Sequence, residues 1–481
     1  METAKKYVHP IDTSTEVSAQ EKAFLVRGTK KIPIHAECAS RFSLFFRYLE
    51  NPTFIDSDEP LSLIIYNNGN GQCVELGPCK ILSNSDRNGN TGRLVFTNDV
   101  YDFECLINKN QVKKLQSPFG DLPLLLAHKN KVRQSFKDYT VNLKYDLQVY
   151  KDLFDSLDSK YRDEPEEVKK AVQEALIKTK GPDFIRFFND KLDELKYLVD
   201  DFSPEDHRCH YYYFIKQLGD LILCCPFFNR ATLKPRGYPG DSGVMRMLYL
   251  NNYQGESTYA KLIHKHGVGH AAGQSVRNRL LLVGRMLNDY QNRSHLLHRK
   301  KVKVLSVGCG AAFELQDIIK SPQDCDKYHF TLFDQDPAAL SEAAEIANNI
   351  ESTVGQAPEV DYVQGSVRTM LFSRKLRQEW GQFDFVYALG LFDYLASRVA
   401  KAVLDRLYQL LAPGGELVIG NYHVSNPSKH YMGYFGDWFL IHRTEEEFKG
   451  LFQNSAQDQI SLQYDETGSQ MFLHIQKQKD G

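Results

Sequence analysis

Residues Val304-Leu-Ser-Val-Gly308-Cys-Gly310-Ala-Ala312 run an apolar strand straight into a Gly-x-Gly turn, and the segment that follows reads as a helix. A Cβ at either glycine would hold a ligand away from the backbone, so the string demands a fold in which a strand end meets a small molecule closely. The surroundings narrow it further. VKVLSVG, YHFTLFD, VDYVQG, FDFVYAL and GELVIGN are strand-like, and helical stretches such as PAALSEAAEIANNI and SRVAKAVLDRLYQLL separate them. Such alternation predicts a parallel, doubly wound α/β sheet. Asp334 ends the second strand roughly 25 residues after the glycines, where a carboxylate can accept hydrogen bonds from both hydroxyls of a ribose. Asp336-Pro337 then read as the N-cap and first residue of the next helix.

A chain of 481 residues is too long for one ordinary core. Residues 1–125 read as a small β domain, a barrel or sandwich. Its strands LSLIIY, QCVEL and GRLVF are separated by Asn- and Gly-rich turns. Residues 126–298 change to a helical period: Phe184, Phe188, Leu192, Leu195 and Val199 recur at three- and four-residue steps, with Gly181-Pro182 before them as a helix start. Residues 299–481 hold the α/β pattern. No apolar run is long enough to span a bilayer, and the N-terminus lacks the apolar centre of a signal peptide. Nine thinly spread cysteines suit a reducing interior, so a cytoplasmic protein is expected. The formal charge of -2 gives no electrostatic case for a nucleic-acid partner.

The order of elements over roughly residues 300 to 425 resembles the class I methyltransferase fold. It includes the strand and small-residue turn DYVQGSV, the strand FDFVYALGLFDYL and the Pro-Gly-Gly turn of LLAPGGELVIGNYH. The resemblance implies S-adenosylmethionine as cofactor, with Gly308 and Gly310 near its methionine end, Asp334 on its ribose, and Ser366, Val367 and Leu389 bordering the rest. Two positions depart from the pattern. Ser306 stands where an acidic residue is usual and Ala312 where a third glycine is usual; Glu314 is the candidate for the missing carboxylate. An NAD-binding Rossmann domain is the competing reading, but it favours a fuller G-x-G-x-x-G and leaves APGGELVI unexplained.

KPRGYPGDSGVMRMLY, QSVRNRLLLVGRML and GNYHVSNPSKHYMGYFGDWFLIHR resemble a bacterial family of extracellular-factor 3-hydroxypalmitic acid methyl ester biosynthesis proteins. That resemblance implies a carboxylate acceptor such as a (hydroxy) fatty acid, and a helical region that caps the active site. The N-terminal region resembles a PilZ-like barrel, in degenerate form, because the R-x-x-x-R and D/N-x-S-x-x-G pair of true PilZ domains is absent.

A carboxylate is already an anion at neutral pH and needs no base, only a cation to hold it. Arg236, Arg277 and Arg279 are the candidate cations, and Tyr238 and Asp241 share the Arg236 loop. Tyr422 and His423 follow the strand after Pro-Gly-Gly on the acceptor side, with Asp393 and Tyr394 similar candidates. The alternatives are methylation of a protein or a polar small molecule, and a regulatory module that binds S-adenosylmethionine without turnover. His207, Cys209, His210, His266 and His270 read as polar helix faces, and no metal site is expected. Nothing in the sequence sets the oligomeric state.

Overall fold

The structure is a computed structural model that describes residues 22–40, 43–50, 61–66, 73–84, 91–97, 101–102, 113–114, 126, 129–295, 301–373, 376–452 and 458–478. The chain divides into two compact units, residues 1–130 and residues 131–481.

In the first unit six antiparallel strands close into a barrel: β1 (Lys22–Arg27), β2 (Lys30–Ser40), β3 (Ser43–Tyr48), β4 (Leu61–Tyr66), β5 (Cys73–Asn84) and β6 (Thr91–Phe96), in the order β1-β2-β3-β6-β5-β4. Alternate residues such as Leu25, Ile32, Phe46, Leu63 and Leu94 point inward and are buried, as period-two patterning requires. A two-residue pair, β7 (Tyr101–Asp102) with β8 (Lys113–Lys114), follows.

The second unit sets a helical layer and an α/β sheet in one body. The helices are α1 (Gln134–Ser159), α2 (Glu166–Val199), α3 (Pro204–Ile222), α4 (Pro226–Leu233), α5 (Ser242–Leu250), α6 (Thr258–Gly269) and α7 (Ala271–His295). Their core is aromatic, with Phe136, Phe184, Phe188, Phe214 and Phe228 buried together. Each such ring contributes about 1.5–3 kcal/mol of burial. Gly181-Pro182 does not start a helix, as expected from sequence, but lies inside the 34-residue α2. Close packing explains the glycine: a Cβ there would stand 3.0 Å from Leu262 Cδ2 on α6.

The sheet has the order β11-β10-β9-β12-β13-β15-β14. Its strands are β9 (Val302–Val307), β10 (Tyr328–Asp334), β11 (Glu359–Gln364), β12 (Phe383–Ala388), β13 (Leu411–Tyr422), β14 (Gln459–Tyr464) and β15 (Gln470–Gln476). The first five are parallel, and β15 runs antiparallel between β13 and β14. Strand order reverses between β9 and β12, which opens a crevice beyond their C-terminal ends. Two helices matter below: α8 (Pro337–Val354), behind β10, and α9 (Lys429–Gly436), after β13.

Candidate active site

The turn after β9 is stitched to the end of β10. The amides of Gly308 and Cys309 donate to the Phe333 carbonyl at 2.8 and 3.2 Å, and the Gly310 amide donates to Asp334 Oδ2 at 2.8 Å. Gly308 has φ +67° and Gly310 φ +56°, the left-handed region that favours glycine. No atom lies within 4 Å of where a Gly310 Cβ would be, so that glycine faces open space. Ala312 also has a positive φ, +51°, so the third position of the turn keeps the geometry of a glycine while carrying a methyl group.

Two carboxylates border this turn. Asp334 is buried and also accepts from the Asp336 amide at 2.9 Å; burial raises its pKa. Glu314 is 6% exposed, accepts from the Tyr387 hydroxyl at 2.7 Å and is likewise raised by burial. Ser366 caps the short helix that begins at Val367.

A cavity of about 460 Å³ joins these groups to the helical layer. Gly308, Gly310, Glu314, Asp334, Ser366 and Val367 all line it, so six of the seven expected cofactor residues converge. Leu389 does not line it; its carbonyl accepts from Arg279 and from Gln470, while the neighbouring Gly390 and Leu391 face the space. The helical layer adds Tyr238, Met245, Tyr249, Val276 and Arg279 to the lining. Asp393, Tyr394, Tyr422, Trp438 and Leu440 form the remaining wall.

The expected acceptor-side residues are only partly brought together. Tyr422 and Tyr238 line the cavity; Arg236, Asp241 and His423 do not. Arg236 is bound to Asp336 at 3.0 Å and Glu342 at 2.7 Å, which ties its loop to α8. Asp241 is fully buried, pairs with Arg230 at 2.7 Å and caps α5 through the Val244 amide. His423 bonds Ser425 and packs on Tyr464. Arg277 is spent on the carbonyls of Leu248 and Val268.

Arg279 is different. Its guanidinium lines the cavity beside the Leu389 carbonyl and Met245 Sδ, and no carboxylate lies within ion-pair distance of it among the described residues. Asp393 is 2% exposed, and burial pushes its pKa up to about 7 against the pull of the Tyr422 amide and of Arg279 and Arg443. Burial raises Tyr422 to about 12, so its hydroxyl stays protonated and donates to the Ala272 carbonyl at 3.1 Å. Met245, Tyr249 and Trp438 escaped sequence reasoning because each lies on an element far from the glycine turn. Their segments were marked only as unusual strings, KPRGYPGDSGVMRMLY for Met245 and Tyr249 and the run through DWFLIHR for Trp438.

Residues 305–417 match the model of a family described as a methyltransferase domain. This chain carries a methyltransferase domain. The matched segment runs from the glycine turn to the strand after Pro-Gly-Gly. Among solved structures, a possible exported protein from Bordetella parapertussis aligns at 15% identity over 62% of this chain and 97% of that one, with TM-score 0.39. A magnesium protoporphyrin IX methyltransferase from Synechocystis PCC 6803 aligns at 11% identity over 43% and 83%, TM-score 0.30. An O-methyltransferase family protein from Burkholderia thailandensis aligns at 15% over 44% and 60%, TM-score 0.31. No curated protein matches the chain.

S-adenosylmethionine is the methyl donor expected from the sequence. The residues present would fit it: an open glycine turn and two buried carboxylates, Asp334 and Glu314, line one cavity. Among the described residues no helix is long and apolar enough to cross a membrane.

Proposed function

We propose that the protein methylates the carboxylate of a small, largely apolar acid, such as a (hydroxy) fatty acid, inside the cavity shared by the sheet and the helical layer. The observation that carries this reading is Arg279, a cavity-lining cation without a carboxylate partner among the described residues. A carboxylate of ordinary pKa, about 4.3, is an anion at neutral pH and can attack a methyl group without a base. Bound donor supplies an electrophilic methyl on a sulfonium. The chain's own residues would then hold the acceptor: Arg279 pairs its charge, and Val276, Leu395, Trp438 and Leu440 exclude water from it. Asp393 in its protonated form would donate to the second acceptor oxygen. Arg236, Tyr238 and Asp241 act on this reading by holding their loop over the donor's ribose side. The proposed donor contacts are Gly308, Gly310, Glu314, Asp334, Ser366 and Val367, with Gly390 and Leu391 in place of Leu389. The proposed setting is a bacterial cytoplasm, in keeping with the free cysteines.

A second reading rests on Asp393 itself. A buried carboxyl with a pKa of about 7 is matched to general-base work on a hydroxyl or amine. The two readings predict opposite pH dependence. With a carboxylate acceptor, turnover falls as pH rises through about 7; with a hydroxyl or amine acceptor it rises.

The test supplies methyl-labelled donor with a fatty-acid extract and a protein extract. Label extracted into organic solvent and released as methanol by mild alkali supports the ester. Alkali-stable label favours the second reading, label confined to protein favours a protein acceptor, and donor binding without transfer to any fraction favours a regulatory module. Arg279→Met separates the acceptor's carboxylate from the donor's own: a rise in KM for the acceptor supports the assignment, and a rise confined to the donor overturns it.

A further inference from the structure

Helix α1 is apolar on two sides. Its inner face buries Phe136, Tyr139, Leu143, Leu147 and Phe154 in the helical core. On the outer face Val141, Tyr145, Val149 and Leu153 stand 52%, 72%, 51% and 56% exposed, at steps of four residues. Isolated exposed apolar residues are ordinary, but four in one unbroken row form a ridge. Rows of i±4 residues are the surfaces that two helices interdigitate when they pack.

The charges beside the ridge say what occupies it. Lys144, Gln148 and Asp152 form the adjacent row, one residue before Tyr145, Val149 and Leu153. Lys144 and Asp152 are exposed, and neither is in an ion pair within its own chain among the described residues; Lys144 reaches only Gln217, and Asp152 only Gln148. A twofold axis perpendicular to two antiparallel helices places the same row of each against the other. It sets Lys144 of one copy opposite Asp152 of the other, twice, with Gln148 at the axis. On the far side of the ridge Asp146 is already neutralised by Lys191 at 3.6 Å. A parallel pairing would oppose different rows and lose both matches.

We infer that the outer ridge of α1 is a homodimer interface, in which a second copy of this chain packs antiparallel through Val141, Tyr145, Val149 and Leu153. The charge row sets direction and register, and the ridge supplies the apolar area.

Sedimentation velocity on the full chain over a concentration series tests this. The expected result is a weight-average mass that climbs toward twice that of the chain. Tyr145→Glu with Val149→Glu, both on an exposed face, should give a monomer with unchanged circular dichroism and melting. Lys144→Glu and Asp152→Lys should each weaken association by about tenfold or more, and the double exchange should restore it. A monomer at every concentration overturns the inference. So does a dimer indifferent to the ridge substitutions, a double exchange that fails to restore association, or cross-linking of the ridge to the barrel of its own chain.

Discussion

The main-chain amide of Tyr422 donates to Oδ1 of Asp393 across 2.7 Å, so the end of β13 holds the carboxyl that follows β12. Asp393 therefore has a fixed position between two strand ends at the cavity wall. Arg443 secures the same turn from behind. Its guanidinium donates to the carbonyls of Phe392 and Leu395 and to the side chain of Asn421.

Asp393 couples stability to pH. Its pKa is raised from 3.8 to about 7 by burial, so the folded chain holds a proton that the unfolded chain releases. Its contribution is fully present below about pH 4 and is lost as pH rises through about 7, with a slope of up to about 1.4 kcal/mol per pH unit between. Urea unfolding from pH 4 to 8 should show that slope, and Asp393→Asn should flatten it. The same variant should lower turnover by about 10²–10⁴ if Asp393 is a base, and far less if it serves as a donor.

Arg443→Met should be costly. It leaves two carbonyls and the Asn421 oxygen buried without their donor, a loss of about 2–4 kcal/mol by chemical denaturation. Arg443→Lys should recover only part, because an ammonium cannot span three acceptors in a fork.

Ala312 stores strain at φ +51° while 1% exposed. A non-glycine residue in this region costs about 1–2 kcal/mol, against a smaller entropic penalty for glycine in the unfolded chain. Ala312→Gly should therefore stabilise the protein by up to about 1 kcal/mol in urea titration. Gly310→Ala should do the reverse and also weaken donor binding by calorimetry.

The loop from Lys234 to Asp241 is strapped at two points, Arg236 to Asp336 and Glu342, and Lys234 to Asp437. Tyr238 on that loop lines the cavity and bonds Asp336. Arg236→Gln should release one strap and speed dissociation of S-adenosylhomocysteine by about tenfold in stopped flow, the equivalent of one charge-assisted hydrogen bond.

The α/β order of residues 302–422 was legible because buried strands are continuous apolar runs and glycine turns have a steric signature that needs no partner. Gly308, Gly310 and Asp334 could be placed on that basis alone. The closing strands β14 and β15 were not read: QISLQY alternates weakly, and β15 is defined by pairing with β13 far away in sequence. Gly181-Pro182 misled because local propensity marks a helix start, whereas the packing of α2 on α6 carries the helix through it.

The arginines show the boundary most clearly. From the sequence alone, a carboxylate acceptor was expected to need a cation, and Arg236, Arg277 and Arg279 were proposed as equals. Only the tertiary structure told them apart: Arg236 meets two carboxylates of α8's first turns, Arg277 meets two carbonyls, and Arg279 meets the cavity. A side chain's charge is local chemistry, but what neutralises it is a neighbour brought in by the fold, and for Arg236 those neighbours lie 100 and 106 residues away.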